Sequence, residues 1–156
     1  MARHYYRTKG AGPIIIRPAG EDDIPKIVEI GRANFPDSNI SEMRMLHRLS
    51  RGHSLFVAEI DAEVVGFIDI KLGISGALIS GLATRPGLRG MGVGTALLGH
   101  AMDFAKKHGR LEIELRVAAR NLRALNLYKK HGFVVLNRKV RKGGMVIYRM
   151  LWSFEM

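Results

Sequence analysis

The chain contains no cysteine, which excludes disulfides, zinc sites built on thiolates and a cysteine nucleophile. Glutamine is absent too, and the two absences together are a weak indication of a thermophilic source. No uncharged apolar run approaches the roughly 20 residues that cross a bilayer, so no membrane association is expected. Residues 1–12 carry charges but are followed by no apolar segment, so the sequence predicts no signal peptide and a cytoplasmic location.

Acidic residues are few compared with basic ones. The chain has 25 Lys and Arg against 14 Asp and Glu, a formal net charge of +11. Such a charge favours polyanionic partners, namely nucleic acid, ribosomes, acidic peptides or a phosphorylated cofactor. A solvated basic surface explains the same count, so we expect only weak polyanion contact. Basic residues are densest in the N-terminal segment and in Arg138-Lys139-Val140-Arg141-Lys142.

The hydrophobic pattern predicts a mixed α/β (α+β) fold in a single domain. The 156 residues divide into a flexible basic arm, 1–12, and one domain, 13–156. Periodicity predicts strands at 14–16, 55–60, 64–72, 77–83, 111–117, 133–140 and 145–152, and helices at 24–30, 41–52, 95–108 and 121–131. The order β-α-α-β-β-β-α-β-α-β-β combines an antiparallel meander with a parallel crossover, so we expect helices on both faces of a mixed sheet.

A glycine-rich stretch, Arg89-Gly90-Met91-Gly92-Val93-Gly94, lies between a predicted strand and a predicted helix. Glycines tolerate positive φ, so several amides can converge on one point at the positive end of a helix dipole. This predicts a pyrophosphate site, with a glycine-rich turn and a surface arginine as the alternative. The spacing excludes a P-loop, which needs a Lys after its last glycine. It also excludes a dinucleotide fingerprint, whose third glycine would fall at Leu97.

Two segments of this chain resemble motifs of the GNAT superfamily of acyl-CoA-dependent N-acyltransferases. Leu82 to Leu98 is similar to the strand-loop-helix element whose Q/R-x-x-G-x-G/A core falls at Arg89, Gly92 and Gly94. Asn121 to Phe133 is similar to the N-x-x-A-x-x-L-Y-x-x-x-G-F element, in the form typical of enzymes that acetylate ribosomal proteins and peptide N-termini. The resemblance covers roughly residues 14–152. It implies a mostly antiparallel sheet of six to seven strands and acetyl-CoA as acyl donor.

The resemblance also implies which residues hold the cofactor. They are Leu82, Ala83, Thr84, Arg89, Gly90, Met91, Gly92, Val93, Gly94, Thr95, Asn121 and Tyr128. In such proteins two strands part, here between 82–84 and 115–117, and the pantetheine arm bonds to their backbone in the gap. The Leu82 N–H would polarise the thioester carbonyl. Asn121 would contact the pantetheine arm, although a role as helix N-cap explains it equally well.

The resemblance implies that Tyr128 is the general acid that protonates the sulfur of coenzyme A. The alternative is that Tyr128 is an aromatic residue of the core with a purely structural role. The general base is not evident. Many relatives carry a carboxylate on the strand that here reads Leu78 to Leu82, and others carry Glu where this chain has Arg116. The carboxylates that remain as candidates are Asp69, Glu112 and Glu114. Of these, Asp69 lies in a mostly apolar strand and Glu114 on the face of Arg116.

The acceptor is expected to be an amine, either a peptide N-terminus or a small molecule. A lysine ε-amine has a pKa of about 10.4, whereas that of an α-amine is about 8, so a site without an evident base favours α-amines. The alternatives are a basic nucleic-acid or ribosome-binding module and a regulatory domain that binds coenzyme A. The six histidines show no metal-ligand spacing, so no metal is expected. The oligomeric state is left as monomer or homodimer.

Overall fold

The computed structural model describes residues 3–6 and 12–154. In chain order the strands and helices of these residues are β1 (His4–Tyr6), β2 (Ile14–Pro18), a 3-10 turn (Glu21–Asp23), α1 (Ile24–Asn34), α2 (Glu42–Ser50), β3 (His53–Ile60), β4 (Glu63–Leu72), β5 (Gly76–Thr84), α3 (Val93–Lys107), β6 (Glu112–Ala118), α4 (Leu122–Lys130), β7 (Val134–Val140) and β8 (Val146–Ser153). After β1, this is the element order that the sequence predicts.

The strands form one eight-stranded sheet in the order β1-β2-β3-β4-β5-β6-β8-β7. Strands β1–β2, β2–β3, β3–β4, β6–β8 and β7–β8 pair antiparallel. Strands β5 and β6 pair in parallel from Gly76↔Glu112 to Ile79↔Leu115, because α3 carries the chain back between them. The predicted mixed, mostly antiparallel sheet is therefore confirmed, with one strand more than the six to seven expected.

The additional strand lies in the segment predicted to be a flexible arm. His4–Tyr6 pairs antiparallel with β2, from His4↔Ile16 to Tyr6↔Ile14, so three residues of the predicted arm form a strand. Two tyrosines favour a strand, and the His4 ring packs edge-on against the ring of His100, with centroids 4.7 Å apart. The other arm residues, 1–2 and 7–11, lie outside the described part of the chain.

The chain divides into two compact units. The first unit comprises Met1–Lys71 and Gly81–Ala101. In its core, one face of α1 and the buried residue of α2 pack on β3 and β4, as the apolar stripe of α1 predicts. The buried members of this cluster are Ile24, Ile27, Val28, Ile30, Met45, Leu55, Val57, Val64, Phe67 and Ala83.

The second unit comprises Leu72–Ser80 and Met102–Met156. In β6 the apolar residues Ile113, Leu115 and Val117 are buried, whereas the polar residues between them are exposed or half-buried. The strand therefore packs one face against the core, as its alternation predicts. Every residue of β7 is exposed. No helix of the described residues is long and apolar enough to span a membrane.

The helix starts and one hairpin follow the chemistry of a few residues. Pro25 stands in the first turn of α1, where its missing N–H costs no hydrogen bond. Ser41 caps α2, its Oγ accepting a hydrogen bond from the Arg44 amide at 3.2 Å. The β3–β4 hairpin turns at Asp61 and Ala62, both with positive φ. The predicted helices and hairpin are thus found in place.

Candidate active site

The glycine-rich loop follows β5 and leads into α3, the strand-loop-helix arrangement that the sequence predicts. Gly87, Gly90 and Gly92 have φ of 52°, 85° and 90°, a region that residues with a Cβ rarely adopt. The Arg85 amide donates to the carbonyl of Val65 at 2.7 Å, and the Leu88 amide donates to the carbonyl of Arg85 at 3.1 Å. These bonds hold the start of the loop against β4 and leave the glycine segment to turn toward the helix.

The first turn of α3 presents unpaired amides beside this loop. Helix α3 begins at Val93, two residues before the predicted start, and its first hydrogen bond runs from the Ala96 amide to the Gly92 carbonyl at 3.0 Å. The amides of Val93, Gly94 and Thr95 precede that bond, so they have no acceptor inside the helix. A Cβ on Gly90 would meet nothing within 4 Å, so no side chain obstructs the approach there. The arrangement fits a pyrophosphate.

Arg89 lies at the outside of the loop and is held in place by Asn34, the last residue of α1. The Arg89 Nη2 donates to Asn34 Oδ1 at 2.9 Å. The Asn34 side-chain amide donates to the carbonyls of Ile30 and Thr84, both at 2.9 Å. Asn34 thus joins the charged residue of the loop to the end of β5. Sequence reasoning missed Asn34, because nothing marks a polar residue at a helix end as the partner of an arginine 55 positions away.

Leu82, Ala83 and Thr84 form the last part of β5. These three residues follow Ile79, which forms with Leu115 the last residue pair between β5 and β6. Ala83 is buried, while its two neighbours are half-buried. On β4, a Cβ at Gly66 would lie 3.0 Å from the Ala83 carbonyl oxygen and 3.0 Å from the Val93 side chain. Glycine at this position therefore lets β4, the end of β5 and the start of α3 approach closely.

Asn121 and Tyr128 belong to α4, in the second unit. Asn121 is the N-cap of the helix, its Oδ1 accepting from the Ala124 amide at 3.3 Å. The Tyr128 side chain is 6% exposed and packs edge-on against Phe133, with ring centroids 5.8 Å apart. Burial raises the pKa of the Tyr128 phenol to about 12. The phenol is therefore protonated throughout the neutral range, as a proton donor must be.

Asp69 is completely buried on β4, with both carboxylate oxygens engaged. Oδ2 contacts the Arg48 Nη1 at 2.6 Å, and Oδ1 contacts the His53 Nδ1 at 2.7 Å. A Cβ on Gly81 would lie 4.0 Å from the Asp69 Cβ, so this carboxylate lies beside the residue that precedes Leu82. Arg48 and His53 were not singled out from the sequence. They lie 21 and 16 positions from Asp69 with no motif between them.

Glu114, on β6 in the second unit, is half-buried in a pair of ion contacts. Its Oε1 lies 2.7 Å from Arg149 Nε and 2.5 Å from Arg149 Nη2. Its Oε2 lies 3.7 Å from Arg116 Nη2. Glu112 on the same strand is exposed. Of the three candidate bases, Asp69 and Glu114 are thus both in contact with arginines, whereas Glu112 is exposed.

An open pocket of about 530 Å³ lies along α2 and the segment that precedes it. Its lining residues are Ser38, Asn39, Ile40, Met43, Arg44, Met45, His47 and Arg48. The lining includes three basic side chains and no carboxylate. Arg48 belongs both to this lining and to the contact with Asp69. The pocket is therefore connected, through one side chain, to the carboxylate beside β5.

No metal centre is found among residues 3–6 and 12–154: they include no group of three or more His, Asp or Glu side chains arranged to hold an ion. The first unit presents the loop amides and the buried Asp69 with its partners, and the second unit presents the buried Tyr128 phenol. These are the components that activate and stabilise an acyl transfer.

Comparison with known proteins points in the same direction. Residues 24–133 match the model of the Acetyltransferase (GNAT) family. Over 132 residues, 76% of this chain and 78% of the relative, the chain is 35% identical to an N-alpha-acetyltransferase of Sulfurisphaera tokodaii. The aligned part thus includes most of both proteins.

Two solved structures have the same fold. Ard1 from Thermoplasma volcanium superposes with a TM-score of 0.81 at 24% identity, covering 90% of this chain and 97% of that one. The PaiA N-acetyltransferase from Thermoplasma acidophilum, in complex with coenzyme A, superposes with a TM-score of 0.76 at 22% identity, covering 90% and 99%. At these identities the likeness concerns the fold.

Proposed function

The chain belongs to the acetyltransferase (GNAT) family, and from that membership we propose that its acceptor is the α-amine of a protein or peptide N-terminus. Membership establishes an N-acetyltransferase that moves the acetyl group of acetyl-CoA to an amine. It leaves open which amine. The observation that carries the choice is the charge of the pocket along α2, which we propose as the acceptor pocket because its Arg48 contacts Asp69 beside β5.

The pocket is lined by Arg44, His47 and Arg48 and by no acidic residue. Polyamines and aminoglycosides carry several positive charges, so a basic lining repels them and lowers their rate of association. A peptide N-terminus presents one amine, followed by backbone carbonyls that arginine side chains can bind. The name of the Sulfurisphaera tokodaii relative, an N-alpha-acetyltransferase, supports the same class of acceptor.

The donor half of the proposed site is built by the first unit. The amides of Val93, Gly94 and Thr95, with Arg89, would hold the pyrophosphate, and the open backbone of Gly90, Met91 and Gly92 would surround it. Backbone groups of Leu82, Ala83 and Thr84 would bond the pantetheine arm. Acetyl-CoA, when bound, supplies the acetyl thioester. The Leu82 N–H would donate to the thioester carbonyl and stabilise charge that develops there.

Tyr128 is the proposed general acid. In the reaction the amine lone pair forms a C–N bond to the acetyl carbon, the C–S bond breaks, and the Tyr128 O–H gives its proton to the departing sulfur. The acylated nitrogen loses one proton to solvent and becomes the amide. The buried phenol supports this role, because it is protonated at neutral pH. The phenol regains its proton from solvent after the thiol has left.

The proposed acceptor is tested with a thiol-release assay on matched amines. One peptide has a free N-terminus and no lysine; its partner has the N-terminus blocked by an acetyl group and an internal lysine. Spermidine and an aminoglycoside complete the set. We expect turnover of the free N-terminal peptide at least tenfold above every other amine. Equal kcat/KM for the two peptides, or preference for a polyamine, would contradict the proposal.

A charge reversal in the pocket provides the matched control for this assay. Arg44→Glu introduces a carboxylate among the lining residues, so we expect a lower kcat/KM for the peptide and a higher one for spermidine. Arg51→Glu makes the same charge change on an exposed residue just outside the lining. It should leave the ratio of the two rates within about twofold, since Arg51 is not part of the lining and an exposed charge is screened by salt.

A second, independent proposal concerns polyanion contact through the second unit. Residues 72–80 and 102–156 include 13 of the 25 basic residues but only four of the 14 acidic ones. The net charge of +11 is therefore carried almost entirely by this unit. Arg138, Lys139, Arg141 and Lys142, all exposed, form what we call the basic turn. We propose that the basic turn gives this acetyltransferase a weak affinity for RNA.

A further inference from the structure

We infer that His53, oriented by the buried carboxylate of Asp69, takes the proton that the acceptor amine must lose before it attacks the thioester. The inference rests on the acetyl transfer established by family membership and does not depend on which amine is the acceptor. It concerns a step for which neither the glycine loop nor Tyr128 provides a group.

Asp69 itself cannot take this proton directly. Its side chain is 0% exposed, and each of its oxygens already has a partner: His53 Nδ1 at 2.7 Å and Arg48 Nη1 at 2.6 Å. Because both oxygens are engaged and the side chain does not reach solvent, an acceptor amine cannot contact this carboxylate. Its effect on the reaction must therefore pass through one of these partners.

Of the two partners, only His53 has a lone pair that can accept a proton. An arginine guanidinium stays protonated in proteins, whereas neutral imidazole has a free lone pair on one ring nitrogen. With Asp69 accepting from the Nδ1–H, that lone pair is on Nε2, which points away from Asp69. The His53 side chain is 14% exposed, so the imidazole reaches solvent while its anchor does not. This is the arrangement in which a carboxylate sets the tautomer and orientation of a catalytic histidine.

The pair lies beside the strand that carries the proposed thioester contact. A Cβ on Gly81 would lie 4.0 Å from the Asp69 Cβ, and Gly81 immediately precedes Leu82. Arg48, the third member of the cluster, also lines the pocket along α2. The cluster thus contacts both the proposed acceptor pocket and the β5 residue next to the thioester contact. Sequence alone left no carboxylate on β5, and the carboxylate beside Gly81 comes instead from β4.

The proposed step balances as follows. Nε2 of His53 takes one proton from the acceptor ammonium through a bridging water, and a neutral amine results. The amine lone pair forms the C–N bond as the C–S bond breaks, and Tyr128 protonates the sulfur. The acylated nitrogen then releases its second proton to solvent, from which the Tyr128 phenolate is reprotonated. Asp69 keeps its contact with Nδ1 and stabilises the imidazolium, which later releases its proton to solvent. Asp69 is accordingly a positioning residue.

Chemical rescue tests the proposal. The assay uses any amine that the wild-type enzyme acetylates in the thiol-release set, so failure of the N-terminal acceptor does not affect it. We expect His53→Ala to lower kcat about 100-fold while the thermal shift produced by acetyl-CoA is retained. Added imidazole should restore a saturable part of the rate. A histidine with only a structural role would not respond to imidazole in this way.

Two further variants and a control separate the alternatives. His53→Asn keeps a donor for Asp69 but has no proton acceptor, so it should lose as much kcat as His53→Ala while melting near the wild type. Asp69→Asn should lower kcat, and adding it to His53→Ala should cost little more, since the two act as a unit. His108→Ala changes an exposed histidine at the end of α3 and should leave kcat and the imidazole response unchanged.

The proposal is overturned if His53→Asn keeps wild-type kcat. It is also overturned if His53→Ala loses activity and imidazole restores none of it while the protein remains folded and binds acetyl-CoA. Should His53→Ala fail to fold, His53→Asn decides alone: a retained kcat overturns the proposal, and a loss of about 100-fold with a normal melting curve supports it.

Discussion

At the scale of single residues, Tyr128 has a side chain that is buried in the core and that could also donate a proton. The side chain is 6% exposed and packs on Phe133, so it is a core aromatic by position. Burial also raises the pKa of its phenol to about 12, which keeps the proton on the oxygen at neutral pH. The structural and the catalytic interpretation therefore hold together, and only kinetics separate them.

We expect Tyr128→Phe to lower kcat about 100-fold with little change in acetyl-CoA affinity, because the proton is needed only as the sulfur leaves. Since the phenol is protonated far above neutral pH, the ratio of wild-type to variant kcat should be constant from about pH 6 to pH 9. Tyr148→Phe removes a hydroxyl from the half-buried tyrosine of β8 and is the matched control. Wild-type kcat in Tyr128→Phe would remove the phenol from the mechanism.

At the scale of elements, the loop between β5 and α3 combines strained glycines with the open amides of a helix start. Gly92 has a φ of 90° immediately before Val93, where α3 begins. A β-branched residue there would be strained. It would also place methyl groups among the amides that are proposed to hold the pyrophosphate. Glycine is thus required at this position both by the backbone and by the proposed ligand.

We expect Gly92→Val to abolish the thermal shift produced by acetyl-CoA. Gly109→Val is the matched control: Gly109 has a φ of 73° and follows the end of α3, and a Cβ there meets nothing within 4 Å. Both changes impose backbone strain, so both should lower the melting temperature. Only the first should lower acetyl-CoA affinity, measured by calorimetry, by more than tenfold. Equal affinities in the two variants would mean that the loop does not hold the pyrophosphate.

A second element-scale feature is the clamp formed by Arg17 at the end of β2. The guanidinium contacts both Asp23 oxygens, at 2.7 and 2.8 Å, and the buried Glu59 at 2.9 Å. Hydrogen bonding to Arg17 lowers the pKa of the Asp23 carboxyl from its usual value. The clamp joins β2, β3 and the turn before α1, and so holds the helix that ends in Asn34.

The lowered pKa of Asp23 predicts a pH dependence of stability. Because the folded state binds this proton less tightly, the clamp contributes fully above the unfolded-state pKa of about 3.9 and loses its contribution as the pH falls through the folded-state pKa. We expect Asp23→Asn to lower the Tm at pH 7 by a few degrees and to lower it progressively less below about pH 4. Asp22→Asn, at the exposed neighbour, should change little. A Tm difference that does not shrink in acid would contradict this account.

At the scale of the whole molecule, the distribution of charge matters more than its sum. Almost all of the net charge of +11 belongs to residues 72–80 and 102–156, while the rest of the chain is close to neutral. A uniform basic surface would serve solubility, whereas charge concentrated in one unit suits a polyanionic partner. This distribution is the basis of the proposed affinity for RNA.

We expect binding of single-stranded RNA that weakens steeply with salt. Arg138→Ser with Arg141→Ser should lower the slope of log K against log salt by about 0.7 for each lost phosphate contact. Lys26→Ser with Arg51→Ser makes the same change of charge in the first unit and should leave the slope unchanged. A slope near zero in the wild type would exclude the RNA contact, and tighter binding to an acidic peptide than to RNA would reassign the basic turn to a protein partner.

The sequence by itself determined the element order, the family and the position of the glycine-rich loop. These follow from signals that are local in the chain: the apolar period of α1, the glycines before Val93, and Asn121 one helix turn ahead of its partner amide. The spacing of such residues is set by helix and strand geometry, so it can be read without knowing the fold. The sequence did not predict the strand at His4–Tyr6, because three residues are too few to show a period. This strand is formed by pairing with β2.

Only the tertiary structure decided which side chains meet. Asn34 meets Arg89, and Asp69 meets Arg48 and His53, across separations of 55, 21 and 16 residues. A periodic pattern tells which face a residue occupies but not which residue of another element faces it, because that depends on sheet register and helix packing. Strand β5 carries no carboxylate, and the carboxylate beside its Gly81 is that of Asp69 on the adjacent β4. Asp69 is buried and contacts His53.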